Sequence, residues 1–175
     1  MARYGMLINT KKCVGCYACR VACQMVNGLE SDEAFIKFDE MEQGVYPNVY
    51  AEVVPVQCMH CEDAPCEAVC PTHATYTTDS GVVLVDEERC IGCKYCMAAC
   101  PYGARIQIKK TGVIEKCRFC WYEGEPGNPP RCVGTCISGA RLFGDLDDPA
   151  SDASKALAAA GANAGHRLKD VGNAP

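Results

Sequence analysis

Residues 90–101 read Cys90-Ile91-Gly92-Cys93-Lys94-Tyr95-Cys96-Met97-Ala98-Ala99-Cys100-Pro101. The spacing C-x2-C-x2-C-x3-C-P is that of a bacterial 4Fe-4S binding run. Three closely spaced thiolates let a short loop wrap three irons. The fourth follows about one helical turn later and faces away, toward a neighbouring cluster. Metal therefore ties together segments that are distant in sequence.

Three further groups complete the set of sixteen cysteines, with none left over. The first, Cys13, Cys16, Cys19 and Cys23, repeats the spacing but is followed by Gln24 instead of proline. Proline there mainly ends the short helix behind the fourth ligand, so its absence alters local shape without removing a thiolate. The second group, Cys58, Cys61, Cys66 and Cys70, widens the middle gap to four residues. The last, Cys117, Cys120, Cys132 and Cys136, widens it to eleven. Both keep the opening C-x2-C and the closing C-x3-C. Sixteen thiolates are the number that four 4Fe-4S clusters require. Gly15 and Gly92 precede the second cysteine of the two tight loops, where a positive φ aims backbone amides at sulfur.

Zinc and disulfides are the competing uses of so much cysteine. A tetrahedral zinc site takes two separated pairs and has no use for a third cysteine three residues on or a C-x3-C-P tail. Disulfides between clustered triples would close only tiny loops with little entropic gain, and the opening MARYGMLINT has no apolar run of secretory-signal length.

The 175 residues are 49% hydrophobic but only 7% aromatic, enough for one domain or two intimately joined ones with a modest core. Cluster binding is expected to supply part of the folding free energy, leaving the metal-free chain largely unfolded. Formal charge is −5 before metals and falls to about −13 with four oxidised clusters. Lys11, Lys12, Arg20, Arg89, Lys94, Arg105, Lys109, Lys110, Lys116, Arg118, Arg131 and Arg141 crowd the cysteine groups. Some offset cluster charge and tune potential, and the remainder are solvated surface. The acidic balance and the lack of a free-standing basic stripe exclude a nucleic-acid binder. No run approaches the ~20 apolar residues of a membrane helix, so direct membrane insertion is not expected.

The segment INTKKCVGCYAC matches VDEERCIGCKYC 77 residues further on, as duplication of a two-cluster unit would give. Hairpins are expected around Asp79-Ser80-Gly81 and Lys110-Thr111-Gly112, and strands within AFIKF and VYAEVVPV flank an exposed connection. Short helices should follow the third cysteine of each tight group. Another helix is expected after Pro149, opened by Ser151 or Asp152 and closed by Gly161, with an extended tail over the final fourteen residues. His60, inside the second C-x2-C, reads as a loop residue near a sulfur. Trp121 reads as an aromatic beside a cluster, and Tyr17, Tyr95 and Tyr102 as cluster-shielding side chains. Neither a nucleotide-binding glycine loop nor an acid/base constellation is present, so no catalytic residue is expected.

The four groups in this order, with HCEDAPCEAVCPT, CPYGAR, EKCRFC and RLFGDLDDP, resemble the four-cluster iron-sulfur subunit of the dimethyl sulfoxide reductase family of molybdopterin oxidoreductases. Relatives there include subunits of polysulfide, thiosulfate, tetrathionate and arsenate reductases. The resemblance covers residues 3 to about 150 and departs at Ile137, where relatives often carry proline. It implies an α+β fold of two pseudo-symmetric ferredoxin-like units, with small antiparallel hairpins and short helices, cross-linked by four 4Fe-4S clusters. The implied ligand crossing assigns Cys13, Cys16, Cys19 and Cys136 to one cluster and Cys117, Cys120, Cys132 and Cys23 to a second. Cys58, Cys61, Cys66 and Cys100 hold the third, and Cys90, Cys93, Cys96 and Cys70 the fourth. The units are then 1–57 plus 109–150, carrying groups one and four with inserted strands, and 58–108, carrying groups two and three. Residues 151–175 form a C-terminal helix and tail. Cys132 stands where some relatives carry tryptophan beside a three-iron cluster, which implies four irons throughout.

The resemblance further implies a non-catalytic electron-transfer subunit. It would pass single electrons between a molybdopterin catalytic subunit, with molybdenum or tungsten, and a membrane quinone-linked subunit or other redox partner. Export would depend on a twin-arginine signal on the catalytic partner, a cytoplasmic location being the alternative. A free-standing polyferredoxin or a cytoplasmic formate- or hydrogen-linked carrier is the competing function.

Overall fold

The computed structural model describes residues 2–121 and 127–161. Regular structure is sparse. Eight strands form four separate two-stranded antiparallel sheets among the described residues. β1 (Tyr4–Ile8) pairs with β8 (Arg141–Asp145), Tyr4 opposite Asp145 and Ile8 opposite Arg141, so the first strand and the last lie side by side. β2 (Lys37–Val45) and β3 (Asn48–Val56) make a long hairpin with an exposed outer end. β4 (Thr75–Thr77) pairs with β5 (Val83–Val85), and β6 (Ile106–Gln107) with β7 (Ile114–Glu115). The turns of these last two hairpins carry Gly81 and Gly112 at φ +76° and +75°, where the sequence places them.

The α-helices are α1 (Ala18–Asn27), α2 (Pro65–Ala68), α3 (Tyr95–Ala99), α4 (Arg131–Gly134) and α5 (Asp152–Ala160). α1 and α3 begin one residue before the third cysteine rather than after it, which sets Cys19 and Cys96 in the first turn. In α2, α3 and α4 the helix stops before or at the fourth cysteine. α1 has no proline after Cys23 and continues to Asn27, where Gly28 takes the left-handed cap. Cys19 and Cys23, four residues apart, consequently lie on one stripe of α1 and are separated along its axis. α4 ends without proline too, and Ile137 beyond it is exposed.

AFIKF divides: Ala34, Phe35 and Ile36 are buried in the core, and the strand starts at Lys37. Glu33 fastens this entry, its carboxylate accepting from the backbone N–H of Glu30 at 3.0 Å and of Lys109 at 2.7 Å. One core group gathers Phe35, Ile36, Val82 and Phe119 around Cys19, Cys23, Cys117 and Cys132. A second joins Val83 and Ile114 to Cys66 and Cys96. Both are small, and cysteines supply much of each. α5 is capped as expected, Ser151 Oγ accepting from the Ser154 N–H at 3.1 Å, and packs on β1 and β8. The expected tail over the final fourteen residues lies outside the described residues. No helix among the described residues is long and apolar enough to cross a membrane.

Candidate metal centre

The opening C-x-x-C of each group turns through a left-handed residue just before its second cysteine, and in the last group Cys120 itself is left-handed as well, at φ +52°. The preceding residues are Gly15 at φ +62°, His60 at +46°, Gly92 at +66° and Phe119 at +53°. The expectation for the two glycines holds, and the same turn is made at positions where two bulky residues bear its steric cost. His60 and Phe119, equivalent in their loops, stack with ring centroids 3.9 Å apart. His60 Nδ1 accepts from the Val83 N–H at 3.1 Å, and burial drives the imidazole pKa well below its ordinary value, so the ring is neutral.

Three hollows are each lined by four cysteines. One holds Cys70, Cys90, Cys93 and Cys96; another Cys58, Cys61, Cys66 and Cys100; the third Cys13, Cys16, Cys19 and Cys136. The other four cysteines neighbour one another where α1 meets α4: Cys23 lies beside Cys132 and Cys120, and Cys117 beside Cys132. Burial pushes the Cys23 thiol up to about 12 and the Cys132 thiol to about 11, so these sulfurs ionise when metal replaces the proton. Among the described residues no three Cys, His, Asp or Glu side chains converge on a point that a single ion could fill. The cysteines instead surround space, as a polynuclear occupant needs.

Behind three of the four fourth cysteines runs a turn that the cysteine count alone did not reveal. Cys70, Cys100 and Cys136 are each followed at the third position by a left-handed residue: His73, Gly103 and Gly139. A buried alanine comes next (Ala74, Ala104, Ala140), then a buried Thr75, Arg105 or Arg141. Burial acts upward on the Cys70 and Cys136 thiols. The Thr72 and Ser138 hydroxyls and the backbone amides of these turns outweigh it and hold both below their ordinary value. The readable signal was the repeat of Gly-Ala-Arg at 103–105 and 139–141.

Among the tempting aromatics, Tyr17 lines the Cys13 hollow and packs on Phe38 at 4.2 Å, and Tyr102 lines the Cys58 hollow. Tyr95 is 63% exposed and lines none of these three hollows, a correction to its expected shielding role, because α3 turns it outward. Trp121 meets Tyr4 edge-on at 6.0 Å and packs on the larger core group. Nη1 and Nη2 of Arg105, Nη2 of Arg141 and Nε2 of His60 are buried without a hydrogen-bond partner. Anionic sulfur clusters would supply one, and the donor set therefore fits 4Fe-4S clusters.

Residues 49–146 match a family described as a 4Fe-4S dicluster domain, and residues 12–74 match a second family of the same description. The chain belongs to the 4Fe-4S dicluster family. Two such domains and sixteen cysteines give it four 4Fe-4S clusters. It is 42% identical to the thiosulfate reductase electron transfer subunit PhsB of Salmonella typhi, over 83% of this chain and 78% of that protein. It is 39% identical to a tetrathionate reductase subunit of Salmonella typhimurium, over 85% and 60%. A sulfite dehydrogenase subunit of Allochromatium vinosum is also 39% identical, over 90% and 75%. A putative dimethyl sulfoxide reductase iron-sulfur subunit of Halobacterium salinarum is 38% identical, over 90% of this chain and 72% of that protein, which shows the kinship that the motifs implied. Electron transfer, not catalysis, is the role of this chain.

Proposed function

We propose that this chain is the iron-sulfur subunit of a molybdopterin oxidoreductase complex, passing electrons between the molybdopterin-bearing catalytic subunit and a membrane quinone-linked subunit or other redox partner. The observation that carries it is the gathering of sixteen cysteines around neighbouring sites in one small chain. When bound, the clusters accept and release one electron at a time, which splits a two-electron reaction at a catalytic metal into single steps. The chain's own residues hold the thiolates at fixed separations, keep water out with Ile8, Phe38, Pro55 and Val83, and offset the charge.

The ligand sets we propose are Cys13, Cys16, Cys19 and Cys136 (cluster I); Cys117, Cys120, Cys132 and Cys23 (cluster II); Cys58, Cys61, Cys66 and Cys100 (cluster III); and Cys90, Cys93, Cys96 and Cys70 (cluster IV). The cysteines lining the three hollows support I, III and IV, and the mutual proximity of Cys23, Cys120 and Cys132 supports II. Cys19 neighbours Cys132, Cys117 neighbours Cys58, and Cys66 neighbours Cys96, which favours the linear order I, II, III, IV. The proposed units are 1–57 with 109–150, around I and II, and 58–108, around III and IV, related by pseudo-symmetry. Pairing of β1 with β8 favours the first unit, while the β6–β7 hairpin straddles the boundary. Export with a twin-arginine-signalled catalytic partner belongs to the same proposal.

Purification of the native protein under anaerobic conditions tests the reading. A large pterin-bearing chain is expected to accompany it in stable stoichiometry. A monodisperse lone carrier that reduces several acceptors would sink it. For the ligand sets, Cys132→Ser is expected to damage one cluster, with three EPR signals retained. Four unchanged signals would refute the assignment.

A further inference from the structure

Three cations are deeply buried among the described residues: Arg105 at 3% exposure, Lys116 at 1% and Arg141 at 2%. None forms a salt bridge with any described residue. The one buried acid close in sequence, Glu115, is taken by Arg118, whose Nε donates to its carboxylate at 3.0 Å. A buried cation without a countercharge is costly, so each of the three needs an anion that the side chains do not supply.

Their positions suggest which anion. Arg105 borders both the Cys58 hollow and the Cys90 hollow, a single guanidinium in the wall between them. Burial works against its charge, but the sulfurs of Cys66, Cys96 and Cys58 outweigh that and raise its pKa. Arg141 lines the Cys13 hollow and places Nη1 3.9 Å from Cys132 Sγ, a sulfur of the next proposed set. Gln57 fixes it, accepting from Nη1 at 2.7 Å. Lys116 adjoins Cys117 and donates from Nζ to the Cys117 carbonyl at 2.9 Å and to the carbonyl of Val83, which lines the Cys58 hollow. In the linear order proposed above there are three junctions, and one buried cation stands at each.

We propose that Arg141, Lys116 and Arg105 are the counter-ions of the I–II, II–III and III–IV junctions, each raising the reduction potentials of the two clusters that flank it. The inference rests on the ligand sets proposed above. Reduction adds one electron, received from the redox partner of the complex, and hence one negative charge to a cluster. A cation held nearby in a low-dielectric wall stabilises that added charge and weakens repulsion between adjacent reduced clusters. The two arginines add free N–H donors aimed at sulfur. Lys116 spends donors on two carbonyls and acts chiefly through its charge.

The test is a potentiometric EPR titration of the intact complex carrying Arg141→Met, Lys116→Met or Arg105→Met. Each substitution is expected to lower two of the four midpoint potentials, by about a tenfold change in the reduction equilibrium, or about 59 mV for one electron. The pairs moved by Arg141→Met and Arg105→Met should not overlap, and Lys116→Met should move one member of each. This pattern needs no prior assignment of signals. Absence of shifts, equal movement of all four potentials, or any other overlap overturns the proposal. Arg141→Lys, Lys116→Arg and Arg105→Lys keep the charge and should bind a full complement of iron, with smaller shifts on the same pairs. Where a methionine variant loses iron, the pattern is read from its charge-keeping counterpart, and iron loss there too makes the residue an assembly element and ends the proposal. Failure of the ligand sets is separately visible, since Cys132→Ser would then leave four signals.

Discussion

At the scale of single residues, the loops depend on backbone that folds through the left-handed region beside each second cysteine. Gly15 and Gly92 do this without strain, yet their surroundings differ. A Cβ on Gly92 would come 2.7 Å from the carbonyl oxygen of Gly112, whereas one on Gly15 would meet Val53 Cγ2 at 3.2 Å. Both alanine variants bear a left-handed cost of about 1–2 kcal/mol. Gly92→Ala must also displace backbone, so its denaturant midpoint should fall further than that of Gly15→Ala, measured anaerobically by loss of cluster absorbance. An equal fall in the two variants would contradict this. Such glycines announce themselves in sequence. His60 and Phe119 did not, because their side chains give no sign that the preceding turn forces a positive φ. Arg105 and Arg141 were visible only as two of a dozen cations near cysteine, since spacing says nothing about which guanidinium is buried.

At the scale of elements, local signals carried where local chemistry decides the outcome. α5 begins and ends where its serine cap and closing glycine place it. Ser151→Ala removes the bond to the Ser154 N–H and should cost about 1 kcal/mol in the unfolding of that end. Hydrogen exchange confined to α5 and the adjoining β1–β8 pair would report it, with the iron content unchanged. The hairpins at Gly81 and Gly112 were legible for the same reason: a turn residue sits between apolar strands. Less legible were the limits of α1 and the fate of AFIKF. A proline marks a helix stop clearly, but its absence after Cys23 leaves the length open, and tertiary burial, not propensity, removes Phe35 and Ile36 from the strand. The pairing of β1 with β8 had no local trace, because the two strands lie more than 130 residues apart in sequence.

At the scale of the whole molecule, two small packed groups that are half cysteine cannot by themselves hold a chain of this length together. Metal removal is therefore expected to abolish cooperative unfolding rather than to leave an empty scaffold. Anaerobic chelation followed by far-UV circular dichroism and heat should show loss of the native spectrum with no residual transition. A metal-free chain that still melts cooperatively would show that the cores suffice.

The hollow that joins Cys13, Cys16 and Cys19 to Cys136 also fixes an order of events during synthesis. In the set proposed for cluster I, Cys13, Cys16 and Cys19 leave the ribosome before the other thirteen cysteines, and Cys136 leaves after every one of them. Under that assignment the first three sulfurs wait, reduced and unclosed, until residue 136 is made. A chain released prematurely before residue 136 cannot complete that hollow, and β1 lacks β8 to pair with. An abortive product is thus left with bare thiols and an open strand edge that a protease can find.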